Sequence, residues 1–245
     1  MGQIPSRSAE AYDLPARVAR YDADMEIMHP LRAKMADIAI EALPFARDGA
    51  LSVIDLGVGT GYFTGRILAE FPKAEVIAVD GAAAMVELAE ARLAGAEQRV
   101  RWVVADFRAL GGDVAPAGSV DVILSAFALH HLSAEEKLAV LQELAPCLKP
   151  GGWFVNADLV VAERGTVEER IQQLRVDGIV SRAPAGDERF AAATVVRAHL
   201  DALEANEGDR PLTLLEDLQI IRAAGFGGAE VLWKEYREAV IGGPR

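Results

Sequence analysis

The sequence predicts an α/β fold built on an open, doubly wound sheet of mostly parallel strands. Short apolar runs alternate with helical stretches over residues 50–161, a spacing typical of βαβ units. The first apolar run leads into a glycine-rich turn, and each of the first three runs is followed by an aspartate. Ligands of open α/β sheets bind at the carboxyl ends of the strands, so this acidic edge also predicts the place of the functional site.

The chain begins with a segment that we interpret as a helical cap, residues 1–29, ahead of a main domain that covers residues 30–245. The cap is polar at first and loosely helical around Tyr21. Pro30 is then expected to open a helix that extends to Pro44, because proline is favoured at the first helical position.

The first strand–turn–helix unit contains three alternate glycines. Its apolar run ends at Asp55, and Gly57, Gly59 and Gly61 follow before the next helix. Glycines permit positive φ and let a ligand lie against the backbone at a helix N-terminus. The dinucleotide fingerprint requires a glycine three residues after its second one, and Tyr62 stands there, so a nicotinamide oxidoreductase ranks lowest among the candidate functions.

The second and third predicted strands also lead to acids. Asp80 ends the second strand, where its carboxylate could accept hydrogen bonds from both hydroxyls of a ribose, although a helix N-cap is the structural alternative. Asp106 and Phe107 follow the third strand. An aspartate in such a position is ordinarily a turn residue, but its register with Asp55 and Asp80 favours ligand binding.

The fourth predicted strand leads into two consecutive histidines, His130 and His131. They lie just past the carboxyl end of the strand, and the ordinary pKa of histidine suits a general base near neutral pH. Both are therefore candidate catalytic residues, with His131 preferred. The alternative is that the pair only packs against or caps the next helix, for which Ser133 and Glu136 form a capping box.

Residues 162–212 interrupt the alternation of strands and helices. They read as two helices, 165–181 and 187–206, inserted between the fifth and sixth strands. We expect this pair to form a lid over the substrate side, and a helical dimerisation element is the alternative. The other predicted elements are strands at 50–54, 74–80, 100–107, 119–125, 153–161, 229–236 and 238–241, and helices at 61–71, 82–94, 134–148 and 214–224.

The composition of the chain limits the classes of partner and the cellular location that can be expected. The net charge is −12, with acids spread along the chain, so nucleic acid is a disfavoured partner. The single cysteine, Cys147, lies in an apolar context and predicts a buried structural thiol. No apolar run reaches the ~18 residues that span a membrane, and no signal-peptide core is visible, so the expectation is a cytoplasmic protein without a membrane segment.

Taken together, these motifs resemble those of the class I S-adenosylmethionine-dependent methyltransferases. The resemblance rests on Asp-Leu-Gly-x-Gly-x-Gly at 55–61, Asp80, Ala-Asp-Phe at 105–107 and Leu-Lys-Pro-Gly-Gly at 148–152. It implies a seven-stranded Rossmann-like sheet of order 3-2-1-4-5-7-6 with the seventh strand antiparallel. It also implies S-adenosylmethionine as cofactor and S-adenosylhomocysteine as product.

The resemblance further implies which residues bind the cofactor, and no metal is expected. The implied cofactor-binding residues are Tyr21, Asp55, Gly57, Gly59, Gly61, Asp80, Met85, Asp106, Phe107 and Ser125. His131 matches by position the base of phosphoethanolamine-type methyltransferases. The Arg-Asp found upstream of that base is Ala126-Phe127 here, which argues against a phosphobase acceptor.

The function predicted from the sequence is methyl transfer to an oxygen or nitrogen atom of a small organic molecule, by a protein that could form a homodimer. One alternative is an enzyme similar to carboxy-S-adenosylmethionine synthase, which would need a cationic side chain such as Arg182, Arg197 or Arg237. Another is a non-catalytic cofactor-binding subunit of a larger assembly.

Overall fold

The fold was analysed in a computed structural model that describes residues 6–110 and 114–245. Its single sheet has seven strands in the order β3-β2-β1-β4-β5-β7-β6. The strands are β1 Leu51–Leu56, β2 Ala74–Asp80, β3 Val100–Val104, β4 Val120–Ala126, β5 Leu148–Leu159, β6 Glu230–Glu235 and β7 Glu238–Pro244. Strands β1 to β5 pair in parallel, and β7 runs antiparallel to both β5 and β6. The predicted fold class and strand order are confirmed.

Helices cover both faces of the sheet. They are α1 Arg7–Tyr12, α2 Pro15–Val18, α3 Tyr21–Met28, α4 Arg32–Glu41, α5 Tyr62–Glu70, α6 Ala83–Arg92, α7 Ala134–Leu144, α8 Gly165–Arg182, α9 Ala193–Glu207 and α10 Leu214–Ala223. Successive residues of β1 point to opposite faces. Val53 packs in the core beneath α4 and α5, and Ile54 packs in the core beneath α7 and α10.

Local sequence signals set the starts of two helices. Ser133 and Thr213 each form a capping box, with Glu136 and Glu216 respectively, at the starts of α7 and α10. The prediction that Pro30 opens a helix was wrong: α4 begins at Arg32, and Leu31 is its N-cap. Cys147 is buried as predicted, and burial raises the pKa of its thiol.

The segment before the main domain and the insertion between β5 and β6 pack against each other. Met28 of α3 shares a small apolar core with Ile179 of α8 and Leu200 of α9, and α1 lies along α9. The first five residues of the predicted cap lie outside the described part of the chain. The predicted cap and lid therefore form one helical layer. This layer lies above the carboxyl ends of strands β1 to β4.

None of the helices that the structure describes combines the length and the apolar character needed to cross a bilayer.

Candidate functional site

A cavity of about 660 Å³ lies at the carboxyl ends of β1, β2 and β4. Its floor is the glycine turn and the loops after β2 and β4, and its roof is α1 together with the end of α9. Eight of the residues predicted for the site line it: Tyr21, Gly57, Gly59, Asp80, Met85, Asp106, Phe107 and His131. The cavity falls in the size range of ligand pockets in proteins.

The glycine turn has the backbone that its sequence predicts. Gly57 and Gly59 have φ of 79° and 51°, in the left-handed region that favours glycine. A Cβ on Gly57 would clash with the Cβ of Ala128, so only glycine lets the loops after β1 and β4 approach this closely. The turn therefore presents bare backbone to the cavity at the start of α5.

Asp80 is held by the backbone and still faces the cavity. Its carboxylate oxygens accept hydrogen bonds from the N–H groups of Gly59, at 2.8 Å, and Ala82, at 2.9 Å. Burial raises the pKa of Asp80, although both hydrogen bonds oppose the shift. A carboxylate has about four acceptor positions, so two remain for a ligand such as a ribose. The N-cap alternative was wrong, because Ala82 is the N-cap of α6 and the helix has no side-chain cap.

The acid after β3 has a close protein partner. Asp106 accepts hydrogen bonds from the Arg108 guanidinium, the shorter at 2.6 Å, and from the backbone N–H of Arg108. The hydrogen bonds from Arg108 lower the pKa of Asp106. Asp106 is the turn residue that such a position ordinarily holds, and it lines the cavity as well. Phe107 beside it covers one end of the cavity floor.

Four predicted site residues lie behind the cavity wall. Asp55 is buried and accepts a 2.5 Å hydrogen bond from the Thr64 hydroxyl. Burial raises the pKa of Asp55 to about 7. Ser125 joins β4 to β1 by donating to the backbone oxygen of Leu56, and Gly61 is the left-handed N-cap of α5. The fourth, His130, lies behind His131. These positions support the residues that line the cavity.

Interactions that the sequence does not reveal close the roof. The Tyr12 hydroxyl of α1 donates to Glu207 at 2.7 Å, and Arg17 donates to the same carboxylate at 2.6 Å. Glu207 ends α9 and is buried. Tyr21 packs edge-on against Tyr12, and burial raises the pKa of Tyr21 to about 12. Glu207 therefore fastens the N-terminal helices to the insertion above the cavity.

A second set of contacts fastens the N-terminal helices to the glycine turn. The Thr60 hydroxyl of the turn donates to Asp22 of α3 at 2.9 Å, and Arg32 donates to the same oxygen of Asp22 at 2.7 Å. Hydrogen bonds from Arg92 and Arg32 lower the pKa of Asp22 against the effect of its burial. Residues distant in sequence thus fix the position of the turn that forms the cavity floor.

The two histidines have different surroundings. His130 is buried, with Nδ1 at 2.5 Å from Oδ1 of Asp158, and its backbone N–H donates to the other oxygen of that carboxylate. Burial lowers the pKa of His130, but the Asp158 charge and hydrogen bond outweigh it, so the pKa is raised overall. His131 lines the cavity and places Nδ1 3.0 Å from Oδ1 of Asp209.

Asp209 is a site residue that the sequence analysis missed. It follows Gly208, which ends α9 with φ of 74°, and the N–H of Asp209 donates to the backbone oxygen of Glu204. The helix-ending glycine was a legible signal. Its meaning was not, because only the fold brings Asp209 to His131.

The site fits a cationic nucleoside ligand. Asp80, Glu207 and Asp209 line the cavity together with Arg7, Arg32, Arg108 and Arg210. Both hydrogen bonds that Asp80 accepts come from backbone N–H groups, and among the charged groups His131 acts on its carboxylate. Burial of a carboxylate is costly, which favours a ligand that brings positive charge beside Asp80. The sulfonium and ammonium groups of S-adenosylmethionine would supply it.

Comparisons with known proteins indicate the family of the chain. A family model described as a methyltransferase domain matches residues 53–152, which hold the glycine turn, Asp80 and both histidines. The chain is 34% identical over 184 residues to a malonyl-[acyl-carrier protein] O-methyltransferase of Halorhodospira halophila, a match that covers 74% of this chain and 59% of the relative.

Two further matches are similar in extent. A demethylmenaquinone methyltransferase of Thermus thermophilus is 31% identical over 160 residues, which cover 65% of this chain and 66% of the relative. The solved structure of PigF with S-adenosylhomocysteine has a TM-score of 0.63 at 20% identity, over 100% of this chain and 64% of that one. The chain thus spans about three fifths to two thirds of the length of these relatives.

Proposed function

The chain belongs to the class I S-adenosylmethionine-dependent methyltransferases, with S-adenosylmethionine as its cofactor, and we propose that it methylates an oxygen or nitrogen atom of a small organic molecule. The observation that carries the proposal is a single cavity with two chemically different walls. One group of lining residues consists of the glycine backbone and Asp80, which we call the cofactor wall. The other consists of His131 and Asp209, which we call the acceptor wall. We assign the cofactor to the first wall and the acceptor to the second.

When bound, S-adenosylmethionine supplies a methyl group on a sulfonium sulfur, an electrophile that needs no activation by the protein. The protein has to position the acceptor and remove its proton. In our proposal Asp80 binds the ribose, Tyr21 and Met85 enclose the cofactor, and the pair of His131 and Asp209 activates the acceptor. The roof made by α1 and α9 excludes water from the reacting atoms.

Two alternatives gain less support. The arginines named for a carboxy-S-adenosylmethionine synthase, Arg182, Arg197 and Arg237, lie outside the cavity lining. The arginines that do line it, Arg7, Arg32, Arg108 and Arg210, each have a protein partner. Arg237 is paired instead with Glu168 and Glu204. A non-catalytic subunit would have no need for an enclosed acceptor wall. The predicted homodimer and the predicted cytoplasmic location both remain predictions.

The first experiment is denaturing mass spectrometry of the ligand released from the purified protein, with calorimetric titration of S-adenosylmethionine, S-adenosylhomocysteine and NAD. We expect S-adenosylhomocysteine to bind, and the Asp80→Asn variant to weaken it at least about tenfold, because hydrogen bonds to a charged group are worth about 1.5–3 kcal/mol. Binding of NAD alone would overturn the proposal.

The acceptor wall is tested by screening small alcohols, carboxylic acids and amines for the release of S-adenosylhomocysteine. With an acceptor found, the His131→Ala variant should lose turnover by about 100-fold or more while its affinity for S-adenosylhomocysteine changes little. His199→Gln is the matched control, because that histidine lies outside the cavity. Equal turnover in the His131→Ala variant would remove His131 from the reaction.

A further inference from the structure

We propose that His130, His131 and Asp209 bind one divalent transition-metal ion on the acceptor wall of the cavity. The sequence motifs gave no reason to expect a metal, since Asp209 lies far beyond the histidines in the chain. The inference rests on the proposed function, because it specifies how the acceptor is activated. It follows from four features: the distances between donor atoms, the contacts around His130, the unsatisfied polar atoms and the rigidity of the loop that carries Asp209.

The three donor atoms are spaced for one metal ion. Oδ1 of Asp209 lies 3.0 Å from Nδ1 of His131 and 3.7 Å from Nε2 of His130. One ligand atom from each residue lies within 4.8 Å of the other two. Zinc–ligand bonds of about 2.1 Å at tetrahedral angles place donor atoms about 3.4 Å apart. Small side-chain rotations would therefore give all three atoms bonding distance to a common centre.

The contacts around His130 select its ligand atom. Nδ1 is occupied by Asp158, which also accepts the backbone N–H of His130, so Nε2 is the nitrogen that faces Asp209. Metal-binding histidines almost always donate their other ring N–H to a carboxylate or carbonyl, which fixes the ring and its tautomer. His130 and Asp158 already have this arrangement.

Two of the donor atoms are buried without a hydrogen-bond partner among the described residues. They are Nδ1 of His131 and Oδ1 of Asp209, which lie at ion-pair distance from each other, 3.0 Å, in an orientation that does not meet hydrogen-bond angles. Their side chains are only 9% and 10% exposed. A buried polar atom left unsatisfied costs about 1–3 kcal/mol. A bound cation would satisfy both atoms at once.

The loop that carries Asp209 is fixed relative to the histidines. Gly208 turns the chain inward at the end of α9, and the N–H of Arg210 donates to the backbone oxygen of His130 at 2.7 Å. Asp209 is thus tied by main-chain hydrogen bonds on both sides. A metal site needs this kind of fixed backbone, because the ligands must keep their geometry while the substrate exchanges.

Two histidines and a carboxylate with an open position suit Zn²⁺ or Fe²⁺. His131 and Asp209 line the cavity, so the open position would face the acceptor. Such an ion would lower the pKa of a bound acceptor hydroxyl, whose proton would pass to solvent. An oxygen lone pair then forms the bond to the methyl carbon, and the carbon–sulfur bond breaks with its electron pair left on sulfur. A sulfonium becomes a neutral thioether.

The test is calorimetric titration of Zn²⁺ into the full chain after treatment with EDTA, with Co²⁺ as a spectroscopic probe of nitrogen ligands. We expect one ion per chain. The Asp209→Asn and His131→Ala variants should each weaken the affinity at least about tenfold, and Asp158→Asn should weaken it about 10- to 100-fold through the orientation of His130. His199→Gln is the control and should bind as the wild type does.

Absence of stoichiometric binding, or equal affinity in the wild type and the Asp209→Asn variant, would overturn the metal site. Binding of S-adenosylhomocysteine is measured on the same metal-free samples and should not change. If that ligand binds and methyl transfer persists in EDTA, the proposed function stands and the metal site fails. If that ligand does not bind, the proposed function itself has failed.

Discussion

At the scale of single residues, Asp55 combines burial with an unsatisfied oxygen. Its Oδ2 accepts from Thr64, while Oδ1 is buried without a partner within residues 6–110 and 114–245. Burial raises its pKa to about 7, above the ordinary value of 3.8, so the folded protein holds this proton more tightly than the unfolded chain does. The protonated acid is therefore the form that the fold favours.

The pH dependence of stability follows from this shift. Below pH ~4 both states are protonated and the contribution of Asp55 is fully present; it is lost as the pH rises through about 7. Asp55 should lower the unfolding free energy by at most about 4 kcal/mol between pH 4 and pH 8.

Urea denaturation of the wild type and the Asp55→Asn variant at several pH values measures the difference. Asparagine keeps an acceptor for Thr64 and has no charge to bury, so the variant should lose this part of the slope. Parallel pH profiles would show that Asp55 ionises normally in the fold.

Residue types at strand ends predicted much of the candidate site. Asp80 and His131 line the cavity because the carboxyl ends of parallel strands meet at one edge, a property that the sequence pattern makes visible. Asp209 and Glu207 could not be predicted in this way. The end of α9 at Gly208 is legible in the sequence, but its position above the sheet depends on packing against α3.

At the scale of elements, α1 covers the cavity through very few polar contacts. Glu207 accepts from both Tyr12 and Arg17, and no other carboxylate of the described residues is hydrogen-bonded to Tyr12. The Glu207→Ala variant should therefore release α1 and α2, with faster amide exchange over residues 7–18 and faster dissociation of S-adenosylhomocysteine. The expected loss of affinity is about tenfold, from charge-assisted hydrogen bonds worth about 1.5–3 kcal/mol.

The Glu207→Gln variant is the matched control, because glutamine keeps a hydrogen-bond acceptor and nearly the same volume. It should retain most of the protection of residues 7–18. Hydrogen exchange of β1 and β4 should be the same in all three proteins, since these strands are far from the contact in the fold. Unchanged exchange over α1 in the Glu207→Ala variant would mean that apolar packing against α9 holds the helix.

The elements themselves divide into predictable and unpredictable ones for a physical reason. Strands β1, β2 and β4 are mostly apolar and mostly buried, so their sequence is nearly unambiguous. Helix α1 is short and contains small and charged residues, and its N-cap, Ser6, resembles any polar loop residue. The side chain of Ser6 caps the helix, and contact with α9 adds packing that the sequence of residues 6–12 does not reveal.

At the scale of the whole molecule, the cavity joins segments from distant parts of the chain. Its lining includes residues of α1, the glycine turn, β2, the loop after β4 and the end of α9. A ligand there contacts both the sheet edge and the helical layer above it. The strand order brings these segments together, and that order was implied by the family resemblance of the motifs.

Ligand binding should therefore stabilise the chain as a whole and not only its roof. S-adenosylhomocysteine at 100 times its dissociation constant should raise the unfolding free energy by about 2.7 kcal/mol. In a chain of this size that shifts the melting temperature by about 5–10 °C. Thermal unfolding followed by tryptophan fluorescence and by far-ultraviolet circular dichroism measures the shift in the sheet and the helices separately. The Asp80→Asn variant at the same ligand concentration should shift less, because its affinity is lower. If the helices gained protection while the sheet melted at an unchanged temperature, the helical layer would unfold independently of the sheet, and the cavity would be a contact between two separate units.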